Sequence, residues 1–232
     1  MGAVTDLTTA LLDPILAADP AGPRITYYDD ATGERIELSA VTLANWAAKT
    51  ANFLSDEFAL VPGARVSVLL PAHWQTAAVL LGCWSAKLTV TDAPGPVEVL
   101  FVAADRVDEA AGWPAGERYA LALDPFALPM RQVPAGYADF VTAVRGHGDH
   151  FTLYPEGGEG DAALLARATA RATELGLTQG DRLLVDVTTH PDPVDWLLTP
   201  LTAGASVVAC AHPDPTRLAS RAETEKTTHT LP

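Results

Sequence analysis

Apolar residues recur at helical spacing in several stretches of the chain. In the clearest stretch they share one face of a helix, at Leu43, Trp46, Ala47, Thr50, Phe53 and Leu54. Ser39 is of a residue type that caps helices, so we expect this helix to begin just after it. The same spacing predicts helices near residues 74–84 and 161–175, the latter ended by Gly176. A first helix is predicted over residues 5–19.

Short apolar runs between these helices predict buried strands. They lie near residues 66–70, 97–102, 183–187 and 206–210. Residues 24–39 instead hold two β-prone runs around a turn with Gly33, a pattern typical of a hairpin. Strands that alternate with helices imply an α/β fold, with one or more doubly wound, mostly parallel sheets flanked by helices.

The turn-rich residues 124–160 interrupt this pattern and predict a domain boundary near residue 150. We therefore expect an N-terminal α/β subdomain over residues 1–150. A second, βαβ-type subdomain over residues 151–222 is expected to pack on the first. Residues 223–232 are predicted to form a polar tail.

The chain of 232 residues has a formal net charge of −14. An acidic surface disfavours nucleic-acid binding and docking on anionic membranes. No apolar stretch reaches the ~18 residues of a membrane span, so membrane insertion is not expected. The sequence also lacks the pattern of a signal peptide. We expect a soluble, cytoplasmic protein in which Cys83 and Cys210 are buried and reduced.

Two blocks of the sequence resemble one enzyme superfamily. Residues 37–90 contain a helix, the turn PGARV leading into a strand, and a second helix. Residues 174–209 contain a Gly-Asp-Arg turn, a strand, a turn with His190, and a helix that runs into PLTAGA. In this order the blocks resemble the N-terminal part of the adenylate-forming (AMP-binding) enzymes. These include acyl-CoA synthetases, luciferases and peptide-synthetase adenylation domains.

The segment between the blocks departs from that superfamily. The resemblance implies a Ser/Thr/Gly-rich loop that ends in lysine and wraps the phosphates of ATP. Residues 154–165 read YPEGGEGDAALL, with no lysine, serine or threonine. The glycine amides could form an anion nest, but Glu156, Glu159 and Asp161 would repel a triphosphate. We predict a solvated linker in which Asp161 caps the next helix; carboxylates that hold Mg²⁺ are the alternative.

The resemblance ends near residue 222, and no counterpart of the superfamily's catalytic-lysine domain is recognised. Lys226 lies in the predicted tail. We therefore expect a truncated, catalytically degenerate chain that needs no cofactor. It would act by binding an acyl or aryl ligand, a protein partner or a second copy of itself. The alternative is a component of an acyl-adenylate or acyl-CoA ligase, completed by another chain and using ATP and Mg²⁺. The sequence leaves the identity of ligand and partner open.

No residue is assigned a catalytic or cofactor-binding role. A ligand pocket is predicted beside His190 and Trp196, because His190 approximately matches the histidine of the superfamily's substrate pocket. His147, Asp149 and His150 are ligand types that suit zinc, and a metal-dependent hydrolase would follow if they bound one. No fourth ligand lies near them in the sequence, so a metal is not expected.

Overall fold

The computed structural model describes residues 6–152 and 159–231, so most of the predicted glycine-rich linker lies outside the described residues. In chain order the helices are α1 (Leu7–Ala18), α2 (Ala40–Phe58), α3 (Trp74–Ser85), α4 (Phe140–Val144), α5 (Glu159–Leu175), α6 (Thr199–Thr202) and α7 (Pro215–Thr224). The strands are β1 (Pro23–Asp29), β2 (Glu34–Ser39), β3 (Arg65–Leu69), β4 (Thr89–Thr91), β5 (Val97–Ala103), β6 (Ala115–Leu121), β7 (Ala138–Asp139), β8 (Arg182–Asp186), β9 (Ser206–Ala211) and β10 (His229–Leu231). A short 3₁₀ helix spans Ala104–Arg106, and a π-helical turn, Val194–Leu198, runs directly into α6.

The described residues form two units, each built on a five-stranded sheet. The first unit combines the residues up to Leu43 with those from 159 onward, and the second holds those from Ala44 to 152. The strand order is β10-β8-β9-β1-β2 in the first sheet and β4-β3-β5-β6-β7 in the second.

In the first unit, β1 and β2 form the predicted hairpin. They pair antiparallel, and Gly33 in the turn has φ 79°. On its other side β1 runs parallel to β9, with Ile25 opposite Val207, and β9 runs parallel to β8. The apolar segment 183–210 therefore completes one sheet with the N-terminal hairpin.

Helices cover this first sheet. Leu218 and Ala222 of α7 pack on a cluster formed by Leu184, Val208 and Cys210. Neighbouring strand residues such as Leu183 point to the other face, because side chains alternate along a strand. The π-helical turn and α6 contact β9, and α1, α5 and α6 contact one another.

The second sheet is parallel throughout, as its four ladders show. Phe53 of α2 packs edge-on against Tyr119 of β6, with the ring centroids 5.0 Å apart. On the same helix, Trp46 meets Trp74 of α3 edge-on, with the ring centroids 5.4 Å apart. The predicted α/β class with parallel sheets and flanking helices is confirmed.

The division of the chain differs from the boundary predicted near residue 150. It falls within α2, because the hairpin residues 23–39 pair with β9 rather than with the strands that follow them. Residues 223–231, predicted as a polar tail, contain the end of α7 and strand β10. Among the described residues, no helix has both the length and the apolar character needed to cross a bilayer.

Candidate functional site

The first unit contains a cavity of about 560 Å³. It is lined by Pro14, Ile15, Ala18, Asp19, Pro23, Arg24, Gln179, Gly180, Arg182, Thr202, Ala203, Gly204, Ser206 and Lys226. Arg24, Arg182 and Ser206 stand at the start of three parallel strands, β1, β8 and β9. The cavity, called here the Arg24 cavity, therefore lies at the amino ends of the strands.

Arg24 is a buried cation. The residue is only 8% exposed, and its Nε atom is buried with no hydrogen-bond partner among the described residues. Burial lowers the pKa of Arg24, whereas the nearby Asp19 carboxylate acts in the opposite direction. Asp19 itself accepts a hydrogen bond from the Gly22 amide at 2.9 Å.

The charge of the second lining arginine, Arg182, is balanced. Its Nη2 atom lies 2.6 Å from Oε2 of Glu225 and also donates to the Thr26 hydroxyl at 2.8 Å. Arg35 joins Glu225 at 2.9 Å, and the Tyr28 hydroxyl donates to the same carboxylate at 2.5 Å. Burial by itself would raise the pKa of Glu225, but hydrogen bonds from Tyr28, Arg35 and Arg182 hold that pKa below its ordinary value.

Lys226 supplies a third cation, from an exposed position just after α7 with φ 53°. The wall formed by α1 is mainly apolar, through Pro14, Ile15 and Ala18. Ser206 is the one serine in the lining, and its hydroxyl lies 3.5 Å from the main-chain oxygen of Asp181. The described lining residues include no histidine that could activate this hydroxyl, so they can bind a molecule but form no nucleophile–base pair.

His190, predicted to border a ligand pocket, lies in the loop after β8, at the carboxyl ends of the strands. Its Nδ1 atom is 3.7 Å from Oδ2 of Asp195, and its amide donates to the Asp186 oxygen at 2.9 Å. Trp196, predicted to share that pocket, is only 1% exposed. Its indole Nε1 donates to the Pro191 oxygen at 3.2 Å. The structure thus places Trp196 in the core, and neither residue lines the Arg24 cavity.

A second cavity, of about 360 Å³, lies between α5 and the π-helical turn. Its cations are already paired within the lining. Arg167 bonds Asp192 and Arg171 bonds Asp195, each at 2.9 Å, and Arg171 also meets Glu174 at 2.9 Å. This cavity is therefore a surface groove spanned by ion pairs.

The residues considered for a metal site do not converge. Both ring nitrogens of His147 face carboxylates of α2, Asp56 at 3.4 Å and Glu57 at 3.6 Å. Asp149 forms an ion pair with Lys49. His150 is exposed. Within residues 6–152 and 159–231, no group of three or more His, Cys, Asp or Glu side chains is arranged to hold a metal ion.

Comparison with known proteins assigns the chain to a family. A protein of Mycobacterium tuberculosis named "TIGR03089 family protein" is 51% identical over an alignment 243 residues long, with 98% of each chain covered. The chain belongs to the TIGR03089 family. No protein-family model matches this sequence.

The fold of this TIGR03089 family member recurs in solved ligase structures. The anthranilate CoA ligase AuaEII in complex with anthranoyl-AMP has a TM-score of 0.74 at 14% identity, covering 99% of this chain and 50% of the ligase. The Brucella canis acyl-CoA synthetase has a TM-score of 0.75 at 16% identity, covering 97% of this chain and 47% of the synthetase. The benzoate CoA ligase from Burkholderia xenovorans LB400 has a TM-score of 0.69 at 13% identity, covering 94% of this chain and 48% of the ligase. The resemblance to the N-terminal part of adenylate-forming enzymes is confirmed at the level of fold, and the chain spans about half the length of these ligases.

Sequence reasoning missed Arg24 as a candidate binding residue. Arg24 is the second residue of β1, and an apolar pattern cannot tell whether a side chain at the start of a strand is covered. One signal was present: the chain has only three lysines, and Lys226 is one of them. In an acidic chain with few lysines, each lysine is a candidate for anion binding.

Proposed function

We propose that this TIGR03089 family chain is a non-catalytic domain with the fold of adenylate-forming enzymes. It acts by binding a small-molecule acyl or aryl ligand, a protein partner or a second copy of itself. It forms no acyl adenylate by itself and requires neither ATP nor Mg²⁺. The observation that carries the proposal is the acidic sequence of residues 154–165, at the place where the resemblance implies a phosphate loop.

This segment leads into α5, whose first residue is Glu159. A helix N-terminus ordinarily attracts phosphate through its free amides and its dipole. Here Asp161, predicted to precede the helix as its cap, is the third residue of the helix and is buried. Together with Glu156 it would oppose a triphosphate, at ~1 kcal/mol for each close pair even under full water screening.

The environments of the lysines support the same proposal. Lys49 pairs with Asp149 and donates to the His147 oxygen at 2.7 Å. Lys87 is buried at 9% exposure, in the turn after α3. Lys226 borders the Arg24 cavity. Two of the three lysines are therefore engaged or covered, and the third faces a cavity at the amino ends of the strands.

The test is a calorimetric titration of the protein with ATP and Mg²⁺. We expect no dissociation constant in the micromolar range and no ATP–pyrophosphate exchange with a panel of acyl and aryl acids. The benzoate CoA ligase serves as the positive control. A variant with Glu156→Ser, Glu159→Ser and Asp161→Ser asks whether the carboxylates are the cause. Micromolar ATP binding by the wild-type chain would overturn the proposal.

A second function is favoured by one observation, the fold that this chain shares with the solved CoA ligases. In that case the chain is a component of an acyl-adenylate or acyl-CoA ligase that another chain completes. The two functions differ in one measurement, ATP turnover with and without a co-purified partner. Turnover that appears only with the partner would establish the second function.

A further inference from the structure

The unpartnered Arg24 requires a physical account. A guanidinium carries five N–H donors, and a buried charge is ordinarily paired or hydrogen-bonded. Arg24 is 8% exposed, and its Nε atom has no partner in the described part of the chain. A buried cation of this kind is costly unless something in the adjoining cavity supplies acceptor oxygens.

The charge balance of the Arg24 cavity indicates the sign of the charge that an occupant would carry. Arg182 is balanced by Glu225, whereas Arg24 has only the nearby Asp19 carboxylate to offset its charge, and Lys226 adds a further cation. Among the described residues, Asp19 is the only one that brings a carboxylate into the lining. The chain as a whole carries a net charge of −14, so a cavity with an excess of positive charge contrasts with the molecule around it. An anion fits this site better than a cation or a neutral molecule.

The size and the lining indicate an organic anion. The volume of about 560 Å³ lies within the range of small-molecule sites. Pro14, Ile15 and Ala18 offer an apolar wall beside the cations. Arginine forms paired hydrogen bonds with planar carboxylates and with phosphates, so either head group suits Arg24.

We propose that the Arg24 cavity binds a small organic oxyanion, with its carboxylate or phosphate group on Arg24 and Lys226 and its apolar part against α1. The inference rests on the proposed function in that the chain acts by binding. It does not depend on the loss of adenylation. The site lies at the amino ends of β1, β8 and β9, whereas His190 lies beyond the carboxyl end of β8.

The experiment is thermal unfolding of the full chain with inorganic phosphate, phenyl phosphate or benzoate, at ionic strength matched with chloride. A ligand that binds only the folded state raises the Tm, by about 3 °C at ten times its Kd for a chain of this size. Phenyl phosphate or benzoate should raise the Tm more than inorganic phosphate, because only these two offer an apolar ring. The stronger of the two identifies the head group.

Arg24→Met keeps the apolar stem and removes the charge. In this variant the Tm increase should disappear and calorimetric affinity should fall at least tenfold. Without any probe, its Tm should equal or exceed that of the wild type, because an uncompensated buried charge is gone. Arg131→Met, at an exposed position of the second unit, is the matched control and should keep the full response.

If Arg24→Met does not fold, the exposed Lys226→Met replaces it and should weaken binding of the same probe severalfold. A wild-type Tm that responds to none of the three probes overturns the inference, as does a Tm increase that persists in Arg24→Met or an unchanged affinity in Lys226→Met. Binding of ATP and Mg²⁺ would overturn the proposed function and leave this site untouched.

Discussion

At the scale of single residues, Asp30 and Arg221 form a buried ion pair in the first unit. Arg221 Nη2 and Nη1 reach the Asp30 carboxylate at 2.6 and 3.2 Å, and the guanidinium lies 4.1 Å from the centroid of the Tyr28 ring. The Asp214 amide also donates to Asp30, at 2.7 Å. Hydrogen bonds from Arg221 hold the pKa of Asp30 below its ordinary value, although burial acts against them.

This pair makes the stability of the protein pH-dependent. A carboxyl group with a depressed folded-state pKa stabilises the fold above its unfolded pKa, and that stability is lost as the pH falls through the folded value. The ordinary value for Asp30 is 3.8, so the wild type should lose stability as the pH falls below it. Thermal melts between pH 7 and pH 2.5 measure the loss.

Asp30→Asn tests the assignment. This variant should be less stable than the wild type at pH 7 but should lose less on acidification, because its group at position 30 cannot titrate. Asp105→Asn, at an exposed position in the 3₁₀ helix, should lose as much stability on acidification as the wild type does. If Asp30→Asn loses as much stability on acidification as the wild type, the pH dependence belongs to other carboxylates, such as Glu225.

At the scale of elements, α2 and α3 of the second unit approach closely at Gly82. A Cβ atom at this position would lie 2.5 Å from Cβ of Thr50 and 2.9 Å from the oxygen of Ala47. Thr50 is fully buried at 0% exposure, so it has little space in which to yield. The two helices can therefore pack at this distance only with glycine at position 82.

Gly82→Ala should destabilise the protein by ~1–3 kcal/mol, the usual cost of adding a methyl group to a filled core. Gly160→Ala is the matched control, since Gly160 also lies in a helix and a Cβ there meets nothing within 4 Å. This control should be neutral or stabilising, by up to ~1 kcal/mol of helix propensity. Denaturant unfolding compares both variants, and equal effects would contradict the close packing described for Gly82.

The periodicity of hydrophobic residues predicted those helices that carry an apolar face over several turns. It located α2 and α5, because each helix has a regular apolar face, whereas the hairpin was predicted from two β-prone runs around the turn at Gly33. It missed β10, a three-residue strand of mostly polar side chains that is fixed by pairing with β8. It also could not show the π-helical turn at Val194–Leu198, because a single added residue per turn leaves the apolar pattern nearly unchanged.

The same limit applies to the candidate sites. Trp196 was predicted to border a ligand pocket, and its 1% exposure places it in the core. Only the scarcity of lysine pointed toward the Arg24 cavity, and that signal does not locate the site. Its wall joins α1 to the starts of β1, β8 and β9, which lie far apart in the chain. Such a site arises from strand pairing, and no local pattern encodes it.

At the scale of the whole molecule, the two units differ in continuity along the chain. The second unit is continuous, and all five of its strands, β3 to β7, lie between residues 65 and 139. Its core includes Leu69, Leu100, Val102 and Ala120, each buried. The first unit is discontinuous, since β1 must pair with β9, whose sequence follows the whole second unit.

A continuous unit with its own buried core can fold without the rest of the chain. Residues 40–152, which begin at the start of α2, should therefore unfold cooperatively and show dispersed amide resonances. Residues 159–231 lack β1, so β9 would keep an open, apolar edge, and this fragment should not fold cooperatively. Far-UV circular dichroism melts and amide correlation spectra of the two fragments provide the comparison. Cooperative unfolding of 159–231 alone, or a collapsed 40–152 without dispersed resonances, would show that folding does not follow the division into these two units.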